Sequence, residues 1–146
     1  MIESTPSPQL EFALELRVNI GSVLEVGPGP FGRRRTVPIT GGVFRGPAIC
    51  GCVLPGGADW QFVDDDGLTL LDARYVIETE DGVWAELRNQ GIRHGAREVM
   101  NRIAAGESVL SNHYYFRTTP RFFPPKEVTS GSRSRYSSEM LSAMPS

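Results

Sequence analysis

The chain has 146 residues, 15 Lys plus Arg against 17 Asp plus Glu, and a formal charge of −2. Hydrophobic residues make up 40% and charged residues 22%, enough apolar material for one folded domain and too little basic excess for a general nucleic-acid binder. No apolar run approaches the roughly 20 residues of a membrane span. Met1 to Pro6 also lacks the basic-then-apolar order of a secretory leader, so a cytoplasmic protein with no membrane partner is expected.

Residues 1–9 are polar and Pro-rich and read as a flexible arm. From Leu10 the pattern alternates. Leu10, Phe12, Leu14, Leu16, Val18 and Ile20 fall on one face, and Glu11, Glu15, Arg17 and Asn19 on the other, which predicts a strand with one buried side. Gly27-Pro28-Gly29-Pro30 reads as punctuation. Strand-like segments follow at 33–44, 48–54, 59–63, 68–80 and 83–89. Pro55-Gly56-Gly57 suits a tight turn, and Asp66-Gly67 and Asp81-Gly82 suit short hairpins, because Asp and Gly tolerate the positive φ those turns need. Residues 95–106 space Ala96, Val99, Met100, Ile103 and Ala104 as a helix does, with Gly106 as its C-cap. The last strand is expected at 113–122. The Ser-rich stretch at 124–146 carries no periodicity and reads as an irregular tail. Many strands joined by short turns predict a mainly all-β domain over 10–123: a small antiparallel β-barrel with one short helix before the last strand.

The segment Pro38-Ile39-Thr40-Gly41-Gly42-Val43-Phe44-Arg45-Gly46-Pro47 carries a resemblance. So do Leu54-Pro55-Gly56-Gly57-Ala58-Asp59-Trp60-Gln61, Asp66-Gly67, Asp72-Ala73-Arg74-Tyr75, Glu78-Thr79-Glu80-Asp81-Gly82 and Tyr114-Tyr115-Phe116-Arg117-Thr118. Residues 10–122 resemble the bacterial and fungal domain-of-unknown-function family numbered 3237. The resemblance implies a small, mostly antiparallel β-barrel that often self-associates, and it implies no established activity. Members of that family continue into closing strands where this chain has Phe123-Pro124-Pro125 and the Ser-rich tail. That difference predicts either an open sheet edge, which a homodimer partner would cover, or a frameshifted or truncated end.

Candidate chemistry starts at Asp59. On a strand it shares a face with Gln61, while Trp60 and Phe62 share the other. A lumen-facing Asp59 would be desolvated and usable as a proton donor or acceptor, whereas an Asp59 bonded to its own turn would only shape the backbone. Gly-Gly-Ala-Asp-Trp is the most distinctive motif of the resemblance. Asp72 and Arg74 share a face, so an outward ion pair is the simpler reading of Arg74. Tyr75, beside Leu71, Ala73 and Ile77, is expected in the core with its hydroxyl seeking a partner. Tyr115 and Arg117 share a face with His113, and such a pair can hold a carboxylate or enolate. The resemblance includes Arg117. Of Arg33-Arg34-Arg35, alternation sends Arg34 to the side opposite its neighbours, so one of the three could hold an anion.

Asp64-Asp65-Asp66-Gly67 lacks the later ligands of a calcium loop and reads as a turn. Cys50 and Cys52, with His94 and His113, match no zinc spacing and are expected as reduced thiols and isolated imidazoles, so no metal is assigned. No phosphate loop and no hydrolase elbow is present, and no cofactor is expected. The functional expectation is a barrel that binds a small, largely apolar organic molecule. Cofactor-free isomerase, cyclase or dehydratase chemistry would run through Asp59, Tyr115 and Arg117, with Trp60, Gln61, Arg74, Tyr75 and Arg34 as binding residues. The alternatives are a binding or carrier protein without chemistry, and a structural protein whose open edge assembles oligomers.

Overall fold

The computed structural model describes residue 7 and residues 9–126. Almost all of the arm at 1–9, and the tail from 127 onward, lie outside the described residues. Eight strands form one antiparallel sheet: β1 (Glu15–Ile20), β2 (Leu24–Gly29), β3 (Gly32–Arg45), β4 (Cys50–Val53), β5 (Ala58–Val63), β6 (Thr69–Thr79), β7 (Trp84–Gly95) and β8 (Tyr114–Phe123). One helix, α1 (Arg97–Ala104), precedes the last strand, as the sequence predicts.

β3 is the hub. Its second half pairs with β1 on one side and β4 on the other, and its first half with β2 and β5. β4 and β5 therefore lie end to end in the column between β3 and β6, and β1 and β2 lie end to end along the other side of β3. The Pro55-Gly56-Gly57 turn interrupts the β4–β5 column without losing the backbone bonds: the Ile39 amide donates to the Gly57 carbonyl at 2.8 Å and the Leu54 amide to Val76 at 2.8 Å. Gly56 has φ +108°, which explains its presence at that turn.

Period-two alternation sends one set of side chains inward. Ile39, Phe44, Val53, Tyr75, Ile77, Ala85, Leu87 and Phe122 make the buried cluster, with Leu14, Leu16 and Val18 packed against it. In register across three strands, Tyr75 faces Leu87, and Leu87 faces Phe122. Leu87 is 0% exposed. Among the described residues no second sheet covers this face, and the sheet wraps around it as a barrel-like shell. Among the described residues no ladder returns from β8 to β1 or β2: β8 pairs with β7, and β1 and β2 with β3.

Three details differ from the sequence reading. The first strand begins at Glu15, so Leu10 and Phe12 stand out in solvent, and the register shift after Asn19 turns Ile20 outward as well. Residues 24–29 form a strand despite Pro28. β2 pairs along one side only, with β3, so an edge position absorbs the missing amide, and a register shift between Glu25 and Gly27 absorbs the irregularity. β7 runs on to Gly95, six residues past Asn89.

Candidate functional site

The inner face is apolar toward the Phe44, Ile77 and Phe122 end and polar toward the other. In one row across the sheet stand Val37, Asp59, Ala73, Asn89 and Pro120; the next holds Arg35, Gln61, Leu71, Gly91 and Thr118; the third holds Arg33, Val63, Thr69, Arg93 and Phe116. Asp59 and Asn89 are thus two strands apart, about 10 Å, over the small Ala73.

Asp59 anchors a hydrogen-bonded chain. Gln61 Nε2 donates to Asp59 Oδ2 at 2.5 Å, and the Asp72 amide donates to Asp59 Oδ1 at 3.1 Å. Arg35 Nε donates to Gln61 Oε1 at 2.7 Å. Gln61 is 6% exposed and satisfies both its amide oxygen and one amide hydrogen with ionisable neighbours. Burial pushes the Asp59 carboxyl above the ordinary carboxylate range. The Gln61 and Asp72 bonds, then the charges of Arg93 and Arg35, pull it back only in part. Burial, then the charge of Asp59, pushes the Tyr75 hydroxyl up to about 12, so Tyr75 remains a neutral donor at physiological pH.

Two guanidiniums face this acid. Burial lowers the Arg93 guanidinium from its ordinary value, with the charges of Asp59 and Tyr114 opposing. Arg35 is lowered by burial and then by the charge of Arg93. Arg93 Nε and Asn89 Oδ1 are buried without a hydrogen-bond partner. Arg35 and Arg93 also stand in the wall of a cleft of about 390 Å³ at the end of the sheet beside α1, with Arg33, Thr69, Met100 and Asn101. Asp59 does not line the cleft; it connects to it through Gln61 and Arg35. On the cleft's other side Asp64 Oδ1 accepts the Asp66 and Leu68 amides, at 3.0 and 2.8 Å, which makes this segment the turn expected from its sequence.

Asp59, Gln61 and Tyr75 are brought together on the inner face. The other expected site residues are not. Trp60 lies on the outer face, half exposed, because alternation along β5 opposes it to Asp59. Arg74 faces outward beside Asp72 at 3.4 Å, and Asp72 is held bidentately by Arg88 at 2.8 Å to each oxygen. Tyr115 is 54% exposed, and the Arg117 guanidinium stacks 5.4 Å from its ring centroid on the outer face, while Arg117 Nη1 donates to the Phe116 carbonyl. Arg34 points outward and Arg35 inward, so the inward arginine of the triplet beside Gln61 is Arg35. Arg93 and Asn89 were not singled out by the sequence. The signal for Arg93 is the extension of β7 past Asn89, which carries the alternation on to it; Asn89 already falls in phase with the inward Ala85 and Leu87.

Among the described residues no three His, Cys, Asp or Glu gather as metal ligands would. Cys50 and Cys52 are free thiols. Among the described residues no helix is long and apolar enough to cross a membrane.

A family model described as protein of unknown function (DUF3237) matches residues 8–130. A UPF0311 protein of Rhodopseudomonas palustris is 40% identical over 118 residues, covering 81% of this chain and 77% of that one. A conserved protein of unknown function from Rhodopseudomonas palustris superposes with a TM-score of 0.81 at 36% identity, over 94% of this chain and 85% of the other. A β-barrel like protein from Acinetobacter baumannii superposes with a TM-score of 0.74 at 38% identity, with the same coverage.

Proposed function

Because the chain belongs to the DUF3237 family of proteins of unknown function, its chemistry is read from its own side chains, and we propose that it binds a small organic molecule at the polar end of the inner face and moves a proton on it with Asp59. The observation that carries this reading is the half-buried Asp59 carboxyl, raised by burial and fixed on two sides by Gln61 and the Asp72 amide. A raised carboxyl is a stronger base when ionised and keeps its proton to higher pH than an ordinary carboxyl, and both properties suit general acid–base work. The step is a C–H proton passing to an Asp59 oxygen while the electron pair moves onto an adjacent carbonyl oxygen. The same proton, returned to another carbon, completes an isomerisation. Arg35 and Arg93 would steady the developing oxyanion.

Deuterium exchange tests this. The protein is incubated in D2O with a panel of enolisable ketones and 2-oxo acids, and loss of C–H signal is followed by proton NMR. Exchange above the buffer rate, abolished in Asp59→Asn, supports the reading. Exchange that persists unchanged in Asp59→Asn refutes the role of Asp59.

A second reading, binding without chemistry, draws support from one observation: Asp59 is already bonded through both oxygens and stands back from the cleft wall. Saturable shifts of the inner-face amides, with no exchange in any panel member, favour it.

A further inference from the structure

We infer that the ligand of this site is a small organic monoanion, a carboxylate with a compact apolar body, whose oxygens lie between Arg35 and Arg93. This rests on the small-molecule reading above and adds the ligand's charge and shape. The first argument is an orphaned donor. Arg93 Nε is buried without an acceptor, and an unpaired buried donor on a cation is costly to maintain. An oxyanion entering from the cleft, with a small shift of the Arg93 side chain that uncovers Nε, supplies the missing acceptor.

The second argument is the charge balance. Most nearby carboxylates have other partners. Glu25 lies 3.5 Å from Arg33, Asp66 lies 3.6 Å from Arg97, and Asp64 accepts two turn amides. Asp59 is bonded to Gln61 and the Asp72 amide, and it acts on both Arg35 and Arg93 through its charge alone. The cleft wall carries Asp64, Asp65 and Asp66 as well as Arg33, Arg35, Arg93 and Arg97, so a singly charged carboxylate meets the arginines with less repulsion from the acidic side than a dianion would. A planar carboxylate also matches the two-pronged geometry of guanidinium donors.

The third argument is the remaining lining. Val63, Met100 and Ala104 supply apolar surface beside the arginines. A cleft of about 390 Å³ falls at the lower end of the range for small-ligand sites.

The test uses benzoate, its neutral isostere benzamide, and inorganic phosphate as probes, titrated into the ¹⁵N-labelled full chain while the arginine Nε–H and backbone amide signals are recorded. The expected result is a saturable shift of the Arg93 Nε–H with benzoate and none with benzamide. In Arg93→Met the benzoate affinity falls by about tenfold or more, Arg93→Lys retains part of it, and Arg102→Gln, whose arginine pairs with Glu107 outside the cleft, leaves it unchanged. Arg93→Lys keeps the inference falsifiable if Arg93→Met fails to fold. Benzamide binding as well as benzoate refutes the anionic ligand and leaves the small-molecule reading standing. Phosphate saturating the same signal at lower concentration refutes the carboxylate. No probe moving any inner-face signal counts against both readings.

Discussion

Replacing Gln61 with Leu tests whether the Asp59–Gln61–Arg35 chain is an energetic unit. Leu fills nearly the same volume and keeps the buried position apolar, so the loss is polar. Two bonds disappear, one from Arg35 Nε at 2.7 Å and one to Asp59 Oδ2. Hydrogen bonds to charged groups contribute roughly 1.5–3 kcal/mol each. Both partners are only partly buried and can recover some hydration, so the lower figure applies, giving about 3 kcal/mol. Burying the extra apolar surface of Leu returns about 1 kcal/mol, leaving a net loss of about 2 kcal/mol. Urea unfolding of a domain this size has a slope of about 1–3 kcal/mol/M, so the midpoint should fall by roughly 1 M. Asp59→Ala and the double variant complete a cycle in which the two single effects overlap by about 1 kcal/mol. Additivity within about 0.5 kcal/mol would show that Gln61 and Asp59 do not act together, and the chain would be an accident of packing.

Two other outcomes follow from the same geometry. A Cβ at Gly57 would lie 2.4 Å from the Arg74 carbonyl oxygen and 2.5 Å from Tyr75 Cβ, so Gly57→Ala should cost about 2 kcal/mol or more; at Gly56, where nothing lies within 4 Å, Ala carries only its positive-φ strain of about 1–2 kcal/mol, and equal losses at the two sites in urea unfolding would contradict the close approach. Because the Asp59 carboxyl is raised on folding, the folded state holds that proton more tightly, so the contribution is full below about pH 3.9 and is lost as pH climbs through the raised folded value. Asp59→Asn should therefore flatten the fall of Tm over that range, and Tm–pH curves parallel to wild type would refute it.

The strands are legible in the sequence because alternation is a direct consequence of the pleat: Asp59 with Gln61 and against Trp60, or Tyr75 with Ile77 and against Arg74, needs no tertiary knowledge. Which face turns inward is a separate matter. β8 carries Tyr114 and Phe116 on one side and Tyr115 and Arg117 on the other, aromatics on both. The burial of Phe122 at its far end, against Leu87, sets the phase. The inward position of Arg93 is masked in the sequence for a related reason. Asn89-Gln90-Gly91 looks like a strand end, yet Gly91 is where β8 approaches most closely: a Cβ there would meet the Arg117 carbonyl oxygen at 2.4 Å. The residue that suggests a break is the one that permits the pairing. β2 was hidden by Pro28, because a proline that breaks a central strand is tolerated where one side of the strand is free.

The triplet Arg33-Arg34-Arg35 at the start of β3 cannot specify its own phase, since a slip by one residue would still present an arginine to Gln61. Val37 and Ile39, buried at 6% and 4%, remove that ambiguity: a slip would drive Thr36 and Pro38 into the core in their place. The hydrophobic half of the strand thus acts as a key for the cationic half. Substitutions at Val37 or Ile39, two to four residues from Arg35, would disturb the Arg35–Gln61 contact by degrading the uniqueness of the register rather than by touching either partner.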